Sequence, residues 1–63
     1  MFKVGQRVFS ATHGEGVVIE IVTVYMNYPV LVEFDTGVIE EYTYNGRLFI
    51  STTKPDIVVI PEE

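Results

Sequence analysis

The alternation of apolar and polar residues along this chain predicts β-strands and no helix longer than one turn. Arg7 to Ser10 alternates polar and apolar residues with a period of two, which is typical of a half-buried strand. Val17 to Tyr25 is the longest apolar run, and its many β-branched residues favour a strand over a helix. Glu20 and Thr23 interrupt the alternation in this run, which predicts a bulge or bend near Ile21-Val22.

The stretch from Tyr28 to Tyr44 predicts a tight β-hairpin in the middle of the chain. Two runs rich in β-branched and aromatic residues flank Asp35-Thr36-Gly37, where the backbone can reverse. With Thr36-Gly37 as a two-residue loop, Asp35 would lie opposite Val38. The same register would place Glu33 opposite Glu40.

A second hairpin is predicted at Asn45-Gly46, a dipeptide that favours a type I′ turn. Arg47 to Ile50 would then fold back onto Glu41 to Tyr44. In that register Tyr44 lies opposite Arg47, and Tyr42 lies opposite Phe49.

The last strand is expected from Asp56 to Ile60, ended by Pro61. We expect this strand and the first one to pair or to be neighbours. The fold class that follows is all-β, a small barrel or strongly bent antiparallel sheet of five to six strands. Residues 1–63 make one such domain, because the chain is too short for two.

The opening of the chain resembles SH3-like barrels of the KOW and Tudor kind. The resemblance lies in Lys3-Val4-Gly5-Gln6-Arg7-Val8-Phe9, in the loop His13-Gly14-Glu15-Gly16, and in the hydrophobic strand that follows it. Such barrels include the C-terminal domain of UvrD-type helicases and the polymerase-interacting domain of CarD-type factors. The resemblance implies an SH3-like barrel. It also suggests an association with nucleic acid, as in KOW domains and helicase C-terminal domains.

A second resemblance covers nearly the whole chain. The segment Tyr28 to Gly37 and the later Tyr42-Thr43-Tyr44-Asn45-Gly46-Arg47 are similar to small phage and bacterial proteins with a Y-P-V-x-V-x-F-D-x-G and Y/F-T-x-D/N-G-R pattern. This resemblance implies a phage or bacterial origin and no defined activity.

Charge and composition narrow the classes of partner. The net charge of −5 comes from nine carboxylates and four scattered basic residues, which disfavours direct nucleic-acid binding. The absence of cysteine excludes disulfides and cysteine-ligated zinc. Without a signal peptide or an apolar run of about 20 residues, we expect no membrane association and a cytoplasmic location, in the host if phage-encoded.

Two groups of side chains are candidates for a partner-binding site. The predicted hairpin register gathers Glu33, Asp35 and Glu40 on one face, which would suit a basic protein, a weak divalent-cation site or simple solvation. The second hairpin gathers Tyr42, Tyr44, Arg47 and Phe49 on one face, and Tyr25 and Tyr28 could approach it. These could anchor a protein partner, form a cation–π cage, stack on bases, or fill the core.

His13 is interpreted as a loop histidine without chemistry, because no cysteine or second histidine is present to share a metal. No phosphate-binding loop, nucleophile elbow or metal signature appears, so we expect no enzyme and no cofactor. The predicted function is a non-catalytic protein-interaction module, an accessory factor that docks on a basic protein. Two alternatives stay open: a self-assembling homo-oligomer and a nucleic-acid-associated accessory barrel.

Overall fold

The computed structural model describes residues 2–22, 27–47 and 55–61, and these residues form five β-strands. The strands are β1 (Arg7–Ser10), β2 (Gly14–Ile21), β3 (Val30–Phe34), β4 (Ile39–Tyr42) and β5 (Ile57–Val59). The predicted all-β fold is confirmed. None of the described residues belongs to a helix long and apolar enough to cross a membrane.

All five strands belong to one antiparallel sheet in the order β4-β3-β2-β1-β5. The sheet is strongly curled into a half-barrel. The first and last strands are neighbours, as predicted, with Phe9 opposite Val58 and Ser10 opposite Ile57.

The concave face of the half-barrel holds the core. Side chains alternate between the two faces of each strand, so every second residue of β1 and β3 points inward. The N-terminal lead-in contributes Phe2 to the same cluster. The buried apolar side chains are Phe2, Val8, Val18, Val30, Val32, Phe34, Tyr42 and Ile57.

The second strand begins earlier and bulges earlier than the sequence predicts. It starts at Gly14, and its register with β3 shifts between Val18 and Glu20, which leaves Ile19 as the extra residue. The predicted bulge exists, but its predicted position at Ile21-Val22 is wrong. The extra residue keeps Val18 in the core and turns Glu20 to solvent. The predicted end of this strand, residues 23–25, lies outside the described residues.

The hairpin between β3 and β4 has a three-residue loop. The Gly37 N–H donates to the Phe34 carbonyl at 2.8 Å, and the Phe34 N–H donates to the Val38 carbonyl at 2.8 Å. Gly37 has a φ of +94°. A tight turn followed by a glycine in the left-handed region is the common way to build a three-residue hairpin loop.

The predicted two-residue loop is therefore wrong by one position. Glu33 lies opposite Ile39, and Glu40 lies opposite Val32. Because a one-residue slip moves every side chain of a strand to the other face, this difference redistributes the acidic residues.

The turn after β4 follows the same geometry. Thr43 pairs with Arg47, whose carbonyl accepts from the Thr43 N–H at 2.9 Å, and the Gly46 N–H donates to the Thr43 carbonyl at 2.9 Å. A type I′ turn needs positive φ at both central residues, but no described non-glycine residue has one. The predicted type I′ turn is therefore wrong, and so is the pairing of Tyr44 with Arg47. Phe49 and the rest of the predicted strand, residues 48–50, lie outside the described residues.

Gly46 also joins the two ends of the sheet. Its carbonyl accepts from the Asp56 N–H at 2.8 Å and from the Ile57 N–H at 3.2 Å, which links the chain after β4 to the start of β5. A Cβ atom built on Gly46 would lie 2.8 Å from Phe2 Cζ and 2.9 Å from the Ile57 carbonyl oxygen. Only a glycine fits where the turn after β4 packs against Phe2 and the start of β5.

Candidate protein-docking surface

The convex side of the sheet, here called the outer face, carries the residues that alternate with the core. Val8 and Ser10 of β1 are buried, so Arg7 and Phe9 point outward. The registers extend this face across the other strands. Its members are Arg7, Phe9, Glu15, Val17, Glu20, Leu31, Glu33, Ile39, Glu41 and Val58.

Exposed apolar side chains lie on the outer face near both edges of the sheet. Phe9 and Val58 are opposite each other on β1 and β5 and are 45% and 52% exposed. Ile39 on β4 is 54% exposed. Single exposed apolar residues are ordinary on a protein surface, but a phenylalanine beside a valine on one sheet face is a suitable contact for another protein.

Carboxylates lie among these apolar residues. The row Arg7, Val17, Glu33 and Ile39 crosses four strands, and Glu41 lies beside it opposite Leu31. The outer face therefore alternates apolar and acidic side chains.

Arg7 is the one outer-face cation among the described residues, and two carboxylates surround it. Its guanidinium lies 2.9 Å from Glu15 Oε1 and 3.2 Å from Asp35 Oδ2. The hydrogen bonds to Asp35 and then to Glu15 raise the pKa of Arg7 above its ordinary value. The charge of Arg7 is balanced within the molecule, so the outer face stays acidic.

The three acidic residues predicted to share one face do not come together. Glu33 is on the outer face, and Asp35 is in the hairpin loop beside Arg7. Glu40 is opposite the buried Val32, and its Oε2 lies 3.4 Å from His13 Nε2. The register separates Glu40 from the other two carboxylates, and no group of described acidic or histidine side chains is arranged to hold a metal ion.

The predicted aromatic group is also divided. Tyr42 is 0% exposed, whereas Tyr44 is 38% exposed in the turn. Tyr28 and Arg47 are half-buried. Phe49 lies outside the described residues. A partner can reach Tyr44 but not the ring of Tyr42.

Tyr42 instead belongs to a polar network at one end of the half-barrel, centred on Asp56. The Tyr42 hydroxyl donates to Asp56 Oδ2 at 2.6 Å, and the Ser10 hydroxyl donates to the same oxygen at 2.9 Å. The Thr12 hydroxyl donates to Asp56 Oδ1 at 3.3 Å. This carboxylate ties the β1–β2 turn and β4 to the start of β5.

Sequence reasoning missed Asp56, because a single aspartate after a proline has no motif. Its importance depends on contacts with Tyr42 and Ser10, which are separated from it by 14 and 46 positions in the sequence. Burial and the hydrogen bond to Asp56 raise the pKa of Tyr42 above the ordinary value of a tyrosine.

The hydrogen bonds of Ser10 and His13 fit a structural role. Ser10 Oγ accepts from the backbone N–H groups of Thr12 and His13 at 3.0 and 3.1 Å, while donating to Asp56. The His13 ring packs against Phe34, with ring centroids 4.8 Å apart. The serine hydroxyl thus holds the turn, and the histidine ring is directed at Phe34 and Glu40 rather than at Ser10.

Comparison with protein-family models, with curated proteins and with solved structures finds no match.

Proposed function

We propose that this chain is a non-catalytic protein-interaction module that docks its outer face on a basic partner protein. The observation that carries the proposal is the juxtaposition of exposed Phe9, Ile39 and Val58 with unneutralised carboxylates on one sheet face. Buried apolar contacts supply most of the affinity of an interface, and complementary charges steer the encounter. Glu33 and Glu41, which lie among the apolar residues, would supply those charges.

The partner that fits this face presents lysine or arginine side chains around an apolar patch. The net charge of −5 and the internal balance of Arg7 by two carboxylates both favour a cationic partner. A phage or bacterial accessory factor that acts in the cytoplasm is consistent with the resemblance of its hairpin motifs.

A set of surface variants tests this proposal. Tagged wild-type protein would be used to capture partners from a nuclease-treated bacterial lysate, beside Phe9→Ser, Glu33→Lys and the control Val4→Ser. Val4 is 62% exposed and lies in the lead-in rather than on the outer face. We expect a stoichiometric basic protein with wild type and with Val4→Ser, and its loss with Phe9→Ser, with Glu33→Lys and at high salt.

Two results would contradict the docking proposal. Capture of the same proteins by all four forms would show that the outer face is not the contact. An empty wild-type lane would contradict the proposal of a basic partner. Elution as an oligomer in size-exclusion chromatography with light scattering would then favour self-assembly.

Self-assembly by strand addition at β5 has less support than docking by the face. Strand β5 is an edge of the sheet, but it has three residues, and Pro55 and Pro61 on either side of it have no N–H to donate. The Ile57 N–H is already bonded to Gly46. A second copy would find few free donors along this edge.

A further inference from the structure

The Asn45-Gly46 peptide is a chemically reactive bond placed at the point where the half-barrel closes. In an Asn-Gly sequence the glycine nitrogen can attack the asparagine side-chain Cγ, because glycine has no Cβ to obstruct the approach. The new N–Cγ bond forms as the Cγ–Nδ2 bond breaks and ammonia leaves, giving a succinimide. Water then opens the ring to aspartate or isoaspartate. The chain contains no other Asn-Gly pair.

The fold restrains the attacking nitrogen. The Gly46 N–H donates to the Thr43 carbonyl at 2.9 Å, and donation to a carbonyl disfavours loss of the proton that attack requires. The Gly46 carbonyl is held by the N–H groups of Asp56 and Ile57.

Rotation of the peptide is blocked as well. Gly46 is buried, although Asn45 beside it is exposed. Turning the Gly46 nitrogen towards the Asn45 side chain would break the bond to Thr43 and both bonds to the β5 segment. The Asn45 side chain is therefore accessible to water, but the Gly46 nitrogen that would attack it is held in place.

We infer that Asn45 is a spontaneous deamidation site that the closed half-barrel suppresses and that opening between β4 and β5 activates. Deamidation then reports how often this junction opens. The isoaspartate product adds one carbon atom to the main chain inside a three-residue loop. A chain that carries isoaspartate cannot restore the pairing of Thr43 with Arg47 together with the contacts of Gly46, whereas the aspartate product keeps the normal main chain.

The experiment follows deamidation of the full chain in mildly alkaline buffer, with and without guanidinium chloride. Intact mass and peptide mapping detect replacement of the amide nitrogen by oxygen. We expect deamidation to be about tenfold or more slower in the folded chain, because only the open fraction reacts. Chains modified in denaturant should also refold in lower yield on dilution.

Three controls make the result specific. Asn27, which precedes Tyr28, should remain intact in both buffers, and Asn45→Gln should abolish the reaction at this site. Tyr42→Phe removes a hydrogen bond to Asp56 and should accelerate deamidation in native buffer, with circular dichroism used to check that the variant is folded.

Equal deamidation rates in native buffer and in denaturant would overturn the inference. A Tyr42→Phe variant that is destabilised but folded, and that deamidates at the wild-type rate, would also overturn it. If the variant does not fold, a series of wild-type rates at sub-denaturing guanidinium concentrations decides instead. Rates that do not rise along that series would contradict activation by opening.

Discussion

At the scale of single residues, Asp56 connects parts of the chain that are far apart in sequence. It accepts hydrogen bonds from Ser10 and Thr12 at the β1–β2 turn and from Tyr42 of β4. A buried polar group is costly unless its partners are present, so the network is stable only when all of these elements are assembled. Asp56 therefore makes formation of the two ends of the sheet cooperative.

We expect Tyr42→Phe to lower the free energy of unfolding by about 1.5–3 kcal/mol, the range for a hydrogen bond to a charged group. Tyr42 is fully buried, so the ring packing is retained while the hydroxyl is lost. Tyr44→Phe is the matched control, because Tyr44 is exposed in a turn, and it should change stability by less than about 0.5 kcal/mol. Chemical denaturation of both variants measures the difference, and equal effects would contradict the role of the network.

The same hydroxyl predicts a loss of stability in alkali. The pKa of Tyr42 is raised in the folded state by burial and by its bond to Asp56, so above the ordinary tyrosine pKa of about 10 the unfolded chain loses its proton first. The contribution of the neutral phenol is complete below that pH and declines above it. Denaturation curves of wild type and Tyr42→Phe should therefore converge as the pH rises beyond about 10. A constant difference across that range would show that the phenol is not the cause.

At the scale of elements, the turns before and after β4 both have a glycine with positive φ as the third residue of a three-residue loop. Gly37 has a φ of +94°, and Gly46 has a φ of +81°. Gly37 thereby fixes the register of β4 with β3. The loop geometry thus decides which acidic residues reach the outer face.

Gly37→Val should destabilise the hairpin between β3 and β4. A Cβ at this position meets no atom within 4 Å, so the cost is conformational strain rather than a clash. We expect a loss of at least about 1–2 kcal/mol, the cost of a left-handed conformation for an L-residue. Gly37→Asn should cost less, because asparagine tolerates that region. Thermal unfolding measures both variants, and an unchanged midpoint for Gly37→Val would contradict the turn assignment.

At the scale of the whole molecule, the half-barrel is held together where the chain after β4 meets the start of β5. Two backbone hydrogen bonds to the Gly46 carbonyl and the side chain of Asp56 make this junction. A chain of 63 residues buries a smaller fraction of its surface than a larger domain, so each such contact matters more.

A comparison of Gly46→Ala with Gly37→Ala isolates the contribution of the junction. Both glycines have similar positive φ values, but only Gly46 would place its Cβ 2.9 Å from the Ile57 carbonyl oxygen. The strain common to both, about 1–2 kcal/mol, cancels in the comparison. We expect Gly46→Ala to cost about 1–3 kcal/mol more, as overpacking does. Equal midpoints in chemical denaturation would show that the residues around Gly46 accommodate the added methyl group without loss of stability.

Pairing between strands explains why some sequence predictions were confirmed and others were wrong. The strands of β1, β3 and β5 follow from local alternation and β-branching, and they were found close to their predicted positions. The loop lengths around Gly37 and Gly46 were wrong, because a glycine in a turn motif fits more than one loop geometry and the choice depends on the paired strands. The bulge was misplaced for the same reason, since the register with β3 selects Ile19.

The sequence by itself determined the all-β fold class, the approximate strands, the acidic character and the need for glycine at the turns. These properties depend on neighbouring residues and on composition, so they do not require the tertiary structure. Only the tertiary structure decided that Tyr42 is buried on Asp56, that Glu40 lies apart from Glu33, and that Phe9 lies beside Val58 on an exposed face. Contacts between distant parts of the chain set these positions, and a shift of one residue in register is enough to move a side chain from the core to the surface.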